Sequence, residues 1–364
     1  MQNDTILIIG LGPQGLFLQR EFARNGYRII TISKKDEIGF YSKYGQKISI
    51  KNHSELKNKL IKISRNKNIS ECHVTSGFYL SYLIDKFSEL WDIYNVYPGP
   101  FDVVNLFNEK METYNVVSKH GINTLKSHLL TDFNNNILNI EYPQIIKWNI
   151  SQKNSLGFKT KIIETPKQLY DIKSSINEKY HKDLLCQKYL DPNNYYEILY
   201  GAYLLDGKII ADLLMQEISH YPMGIASEII EFEGIRKKHI LELNRNFLEF
   251  FKYSGFIELE YKYNIKNNSL VLFEINPRIW GSAKILKRKY PNIINVINSH
   301  ETIDNDKTSC QWVNILRNLL YTANNLSIKN IINFIKSMNG SIYDVFDKKD
   351  LKPFFYQVVK GLRR

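Results

Sequence analysis

LFEINPRIWGS, residues 272–282, decides how the rest of the chain is read. Side chains alternate faces along a strand, so Glu274 and Asn276 point the same way from an otherwise apolar segment. Pro277 then ends strand pairing, and Arg278 follows at the strand mouth. An apolar strand has no packing use for a carboxylate and an amide two positions apart. The stretch before it, GFIELEYKY (255–263), repeats the pattern with Glu258 and Glu260 on one face. The short turn KNNS predicts that the two strands are antiparallel partners, with Glu260 beside Glu274. Two carboxylates about 4 Å apart repel by about 4 kcal/mol at an effective dielectric of 20. A divalent cation relieves that repulsion, and an all-oxygen set of Glu260, Glu274 and Asn276 suits Mg²⁺ or Mn²⁺. A guanidinium at Arg278 is then placed to grip phosphate or carboxylate oxygens. Any one of these carboxylates taken alone also reads as a solvated strand residue paired with a lysine.

Upstream, the chain opens on a strand–turn–helix–strand pattern. ILIIGLGPQG carries Gly10, Gly12 and Gly15 in the G-x-G-x-x-G spacing, LFLQREFARNG is a helix with a glycine stop, and YRIITIS is a second strand. The acidic residue expected at the end of that second strand is missing: TISKKDE offers Ser33, Lys34 and Lys35 before Asp36. ECHVTSGFYLSYLIDKFSELW reads as strand then helix, and PGP at 98–100 marks a domain boundary. Beyond it come a helix in NEKMETYNVVSKHGIN, strands in YPQIIKWN and GFKTKIIET, and a helix from Pro166. LLCQKYL, YYEILYGAYLLDG and KIIADLLMQEI are three further strands, with Asp206-Gly207 as a tight turn between the last two. A helix over about 238–253 leads into the hairpin, and the chain from about 299 reads as helical, ending in the basic KGLRR.

The 364 residues are 43% hydrophobic, enough to build a core and incompatible with a disordered chain. No apolar run is long enough to span a bilayer, and the N-terminus shows no leader pattern. Three dispersed cysteines have no metal spacing, so the expected compartment is the cytoplasm. The formal charge of +12 comes from scattered lysines without a nucleic-acid module, and no nucleic-acid partner is expected. The charge leaves open a weak peripheral attraction to a membrane surface, and a homodimer is the common state of soluble enzymes.

The hairpin and the order of segments before it resemble the ATP-grasp superfamily of carboxylate–amine ligases over roughly residues 1–300, in a form similar to biotin carboxylase and carbamoyl-phosphate synthase. The resemblance implies an α/β chain in three parts: a Rossmann-like domain at 1–100 that precedes the grasp, a two-lobed α+β ATP-grasp domain at 101–298, and a helical C-terminal extension at 299–364. It implies ATP and Mg²⁺ or Mn²⁺ as cofactors. Lys110 of NEK and Lys147 of YPQIIKWN match the nucleotide-binding lysines. CQKYLDPNNYYE resembles the hinge at 187–190: Gln187, Lys188, Tyr189 and Leu190 would line adenine, and Glu197 would approach the ribose. Glu260, Glu274 and Asn276 would hold the metal, and Arg278 would stabilise an acyl phosphate. Such enzymes phosphorylate a carboxylate and let an amine displace phosphate. The partners would be a small-molecule or sugar-linked carboxylate and an amine. INPRIWGS and the trailing helices look like relatives that modify surface polysaccharide or peptides.

Two departures from the family stand out. The phosphate-covering loop, SQKNSLGF, has only Gly157 where relatives are glycine-rich, leaving Ser151 and Ser155 hydroxyls to meet phosphate. Gln187 stands where a carboxylate is common. His220, in SHYPMGIAS, reads as a proton handler or as a solvated loop histidine. Gly12 reads as part of a tight turn that contributes to the acceptor site. Two other functions compete: a dinucleotide-dependent oxidoreductase built on the first glycine turn, and a non-catalytic basic protein docking through KGLRR.

Overall fold

The structure, a computed structural model, describes residues 4–66, 68–133, 140–153, 155–299 and 309–362. Arg363 and Arg364 of KGLRR and Asn154 of the 151–158 loop lie outside the described residues. The chain falls into two compact units: residues 1–104, 198–258 and 276–364 form the first, and residues 105–197 and 259–275 the second.

The first unit begins with a five-stranded parallel sheet in the order Gln46–Ser49, Arg28–Ser33, Thr5–Ile9, Glu71–Val74, Val96–Tyr97. Strand Thr5–Ile9 is central and buried, as its run of isoleucine and leucine requires. Helix Pro13–Arg24 follows directly, with proline in its first turn where the missing N–H is not needed.

A larger sheet runs in the order Leu270–Asn276, Gly255–Asn264, Tyr195–Leu205, Lys208–His220, Ala226–Glu231, Gln311–Val313, Ile342–Tyr343. Residues 195–197, 259–264 and 270–275 of these strands belong to the second unit. The Asp206-Gly207 turn takes positive φ at both residues, +48° and +81°, and closes the antiparallel pair Tyr195–Leu205 with Lys208–His220. One apolar cluster ties the first unit together, from Ile6, Phe17 and Phe22 to Leu199, Met215, Trp280 and Trp312.

The segment from 299 onward is more than a helical tail. Two short strands, Gln311–Val313 and Ile342–Tyr343, flank helices Ile315–Asn324 and Ile328–Ser337 and extend the large sheet, and helix Lys352–Leu362 follows. A buried arginine fastens its end. Arg20 Nε meets Asp350 Oδ2 at 2.9 Å, and its two terminal nitrogens donate to the backbone oxygens of Val345 and Asp350. Ser42 Oγ adds a bond of 2.7 Å to the same carboxylate.

The second unit carries a four-stranded antiparallel sheet, Ser127–Leu129, Leu184–Lys188, Gln144–Trp148, Thr160–Ile163 in that order, with helix Pro166–Ser175 beside it. Thr165 caps that helix by accepting from Gln168 N–H. Its core gathers Leu130, Ile146, Trp148, Leu169 and Leu184. Helix Lys110–Lys119 belongs to the same unit.

Candidate active site

In the second unit, five residues that the sequence singles out converge with one, Tyr114, that it does not. Lys110 is the first residue of its helix, and its position is set by the end of strand Gln144–Trp148. Lys110 N–H donates to Asn149 O at 3.1 Å, and Met111 N–H to Asn149 Oδ1 at 2.9 Å. The Lys110 ammonium lies 2.9 Å from Glu274 Oε1 and also donates to Ser151 Oγ, whose hydroxyl donates to the same Glu274 oxygen at 2.8 Å. Strand Leu270–Asn276 is held at this place by backbone contacts: Leu272 N–H donates to Asn123 O at 2.8 Å, and Tyr114 OH to Phe273 O at 2.6 Å.

Lys147 sits deeper. It is 4% exposed, donates to Tyr114 OH at 3.0 Å, and stands 4.0 Å over the Phe273 ring. Burial pushes its ammonium down to about 8, with Glu274 and Glu260 pulling the other way and Lys262 adding to the lowering. Burial acts on Glu274 in the opposite sense, yet Lys110 and Lys147, with the bonds from Lys110 and Ser151, outweigh it and hold the carboxyl well below its usual range. Glu260 bears on both Lys147 and Tyr114, so the two carboxylates and two lysines form one electrostatic cluster. Glu197, half-buried, is ion-paired with Lys262.

The hinge residues divide. Gln187 is fully buried; its amide donates to Ser127 Oγ at 2.8 Å, while its Oε1 is a buried acceptor with no partner among the described residues. Lys188 is exposed and pairs with Glu141 at 2.5 Å. Tyr189 N–H is bonded to Pro143 O at 3.0 Å, and Leu190 is half-buried.

In the first unit, Asn276 is held from two sides. Its amide donates to Glu258 Oε2 at 3.1 Å, and its carbonyl accepts from Arg278 at 3.2 Å. A second Arg278 nitrogen donates to Ile279 O at 3.2 Å. Glu258 is the residue the sequence reading undervalued. The signal was its spacing, two positions before Glu260 on the same strand face. Tyr114 carried no motif at all as a partner of the lysines, and Ser151 was read only as a hydroxyl of the phosphate-covering loop. His220 Nε2 lies 2.5 Å from Glu217 Oε2 within strand Lys208–His220.

The first glycine turn is packed tight. A Cβ at Gly15 would lie 2.1 Å from Gly10 O, so that glycine is needed for the helix to approach the strand. Gly12 precedes the helix with φ −59°, and its carbonyl accepts from Leu16 N–H at 2.9 Å. The Leu11 N–H, on the turn, is taken by the carboxylate of Glu37, which also accepts from Tyr79 OH and, at 3.2 Å, from Lys34 N–H. Burial raises the Glu37 carboxyl, and these three bonds oppose that rise.

No protein-family model matches the chain, and no curated protein matches it. Solved structures do. The N5-carboxyaminoimidazole synthetase of Staphylococcus aureus shares 16% identity with a TM-score of 0.67, over 90% of this chain and 88% of that chain. The L-amino acid ligase of Bacillus licheniformis shares 13% identity with a TM-score of 0.61, over 79% of this chain and 71% of that chain. The biotin carboxylase domain of the Hydrogenobacter thermophilus 2-oxoglutarate carboxylase, a dimer in complex with magnesium ADP, ADP and bicarbonate, shares 13% identity with a TM-score of 0.64, over 84% of this chain and 72% of that chain. The fold is therefore the ATP-grasp fold, α/β with a parallel sheet and antiparallel sheets.

Proposed function

We propose that the chain is an ATP-dependent carboxylate–amine ligase that uses Mg²⁺ or Mn²⁺. The observation that carries this reading is the cluster of the buried Lys110 and Lys147 with the half-buried Glu260 and Glu274 on an ATP-grasp fold. Two buried lysines beside two half-buried carboxylates are costly to keep unless they serve something that uses both signs. A metal–triphosphate does: the hard carboxylate oxygens suit the cation, and the ammonium groups suit phosphate oxygens. When bound, the metal would neutralise the phosphates as charge moves between them.

Within that reading each residue has a task. Lys110 and Lys147 donate to phosphate oxygens, and the Ser151 hydroxyl, already beside Lys110, serves the loop that lacks glycines. The unpartnered Gln187 Oε1 is a hydrogen-bond acceptor suited to the exocyclic amine of adenine, with Lys188, Tyr189 and Leu190 lining the base and Glu197 near the ribose. Glu260, Glu274 and Asn276 would hold the metal, and Glu258 accepts from the Asn276 amide nitrogen while the amide oxygen accepts from Arg278. Arg278 stabilises charge on the acyl phosphate. The chemistry is activation: a carboxylate oxygen leaves poorly, and a phosphate leaves well. Positioning and charge supply the catalysis.

The three-part division 1–100, 101–298 and 299–364, an intracellular location, and a homodimer belong to the same proposal. An amino acid or amine joined to a sugar acid of a surface polysaccharide is the first substrate pair to test. Gly12 and His220 are the candidates for the acceptor side. The oxidoreductase alternative has less support, because it gives no task to Glu260, Glu274, Asn276 and Arg278 and because the carboxylate of Glu37 already accepts from one N–H of the turn, that of Leu11.

Phosphate release in the presence of ATP, Mg²⁺ and a panel of sugar acids and amino acids tests the reading. Release should require both an acid and an amine. Glu274→Gln and Asn276→Ala should each lower it by at least about 100-fold with circular dichroism unchanged. Normal turnover in Glu274→Gln removes the metal assignment, and absence of any ATP-induced thermal stabilisation removes the ligase reading itself.

A further inference from the structure

Helix Ile328–Ser337 packs with its polarity reversed. Ile328, Ile331, Ile332 and Ile335 recur at i, i+3, i+4 and i+7, so they form one stripe. That stripe faces outward: the four are 80%, 41%, 45% and 63% exposed, and Leu326 just before the helix is 75% exposed. The inward side is mixed: Asn330, Phe334 and Ser337 are its less exposed positions, and the four isoleucines are not among them. Ser337 is buried, accepts from Asn318 Nδ2 at 2.9 Å and donates to Phe334 O at 2.8 Å. A soluble surface helix normally does the opposite.

Charge indicates what covers the stripe. Lys329 and Lys336 are exposed, lie seven residues apart, and border the isoleucines on one side. From 309 to 343 the sequence contains no aspartate or glutamate, while Arg317, Lys329 and Lys336 are basic. A second copy docked stripe to stripe would bring lysines toward lysines with no acid in the segment to offset them. A ten-residue helix also offers far less than the roughly 800 Å² per partner of a stable interface. An anionic phospholipid surface meets both features. Its headgroup phosphates take the lysines, and its acyl boundary takes the isoleucines. The formal charge of +12 on the whole chain adds long-range attraction.

We propose that helix Ile328–Ser337 lies flat on an anionic phospholipid surface with its isoleucine stripe facing the acyl boundary. No described helix is long and apolar enough to cross a membrane. The proposal stands on this surface alone and does not depend on the ligase reading.

Flotation of the full chain with vesicles of phosphatidylcholine, with or without phosphatidylglycerol, tests it. The protein should float only with the anionic vesicles, and rising salt should release it. Ile331→Gln with Ile335→Gln changes no charge and should weaken binding by at least roughly ten-fold with an unchanged melting midpoint. Lys329→Gln and Lys336→Gln should each weaken it by about five-fold. Failure of the unaltered protein to float with anionic vesicles overturns the proposal. So does full binding by the isoleucine double variant, which would assign the attraction to charge elsewhere. A dimer in sedimentation velocity that the same double variant dissociates would assign the stripe to a second copy instead.

Discussion

Single residues in this chain split into those explained by neighbours in sequence and those explained only by neighbours in space. Trp280, in the turn after the Asn-Pro-Arg triplet, belongs to the second kind. It is 1% exposed, and a Cβ at Gly201 would lie 2.3 Å from its ring. The tryptophan of the motif is therefore a core residue lying on a glycine of the central sheet. Lys284 is another. Its ammonium donates to the carbonyl of Tyr343 at 2.7 Å, and burial, with Arg20 adding to it, lowers the group to about 8. Between that value and the usual lysine range the unfolded chain holds a proton that the folded chain has released. Stability should therefore rise with pH from about 8 toward 10.5. Urea unfolding across that window should show a slope steeper than that of Lys284→Met by up to about 1.4 kcal/mol per pH unit.

At the scale of elements, local turn chemistry accounts for the hairpins. Asp206-Gly207 was readable because a two-residue turn needs positive φ twice, and few residue pairs accept that. Gly207→Ala adds strain at φ +81° and a Cβ 2.6 Å from Phe251 O. It should cost about 1–3 kcal/mol, read as a lowered urea midpoint. The segment after 299 was harder. Its apolar spacing reads as helix, and helices are present, but the three-residue strand Gln311–Val313 and the two-residue strand Ile342–Tyr343 are too short to have a period. They exist because Ala226–Glu231 presents an edge that they complete. The glycine turn at 10–15 reads from its spacing as a tight turn, and its contacts are the close approach of Gly15 to Gly10 and the carboxylate of Glu37.

On the scale of the whole molecule, the chain visits each compact unit more than once, so neither unit is a continuous run of sequence. Distant segments are joined by few, heavily used groups. Arg20 and Asp350, each nearly inaccessible, connect the first helix to the chain 330 residues later. Asp350→Ala leaves the guanidinium buried without its counter-charge and should destabilise the protein by about 3–5 kcal/mol, measured by urea denaturation. A loss within about 0.5 kcal/mol would mean that the arginine reaches water when its partner is removed.

The sequence by itself determined the strands and helices with strong period, the Asp206-Gly207 turn and the acidic hairpin, because alternation and turn preference act over a few residues. It also ordered the segments well enough to suggest the ATP-grasp fold. Only the tertiary structure decided which lysines among so many are buried. Lys110, Lys147, Ser151 and Glu274 come together from separations of 41 and 123 residues and more, and no local pattern encodes such meetings. The same holds for the outward isoleucines of helix Ile328–Ser337. Period alone marks an apolar face, but the rest of the chain decides whether that face turns inward or outward.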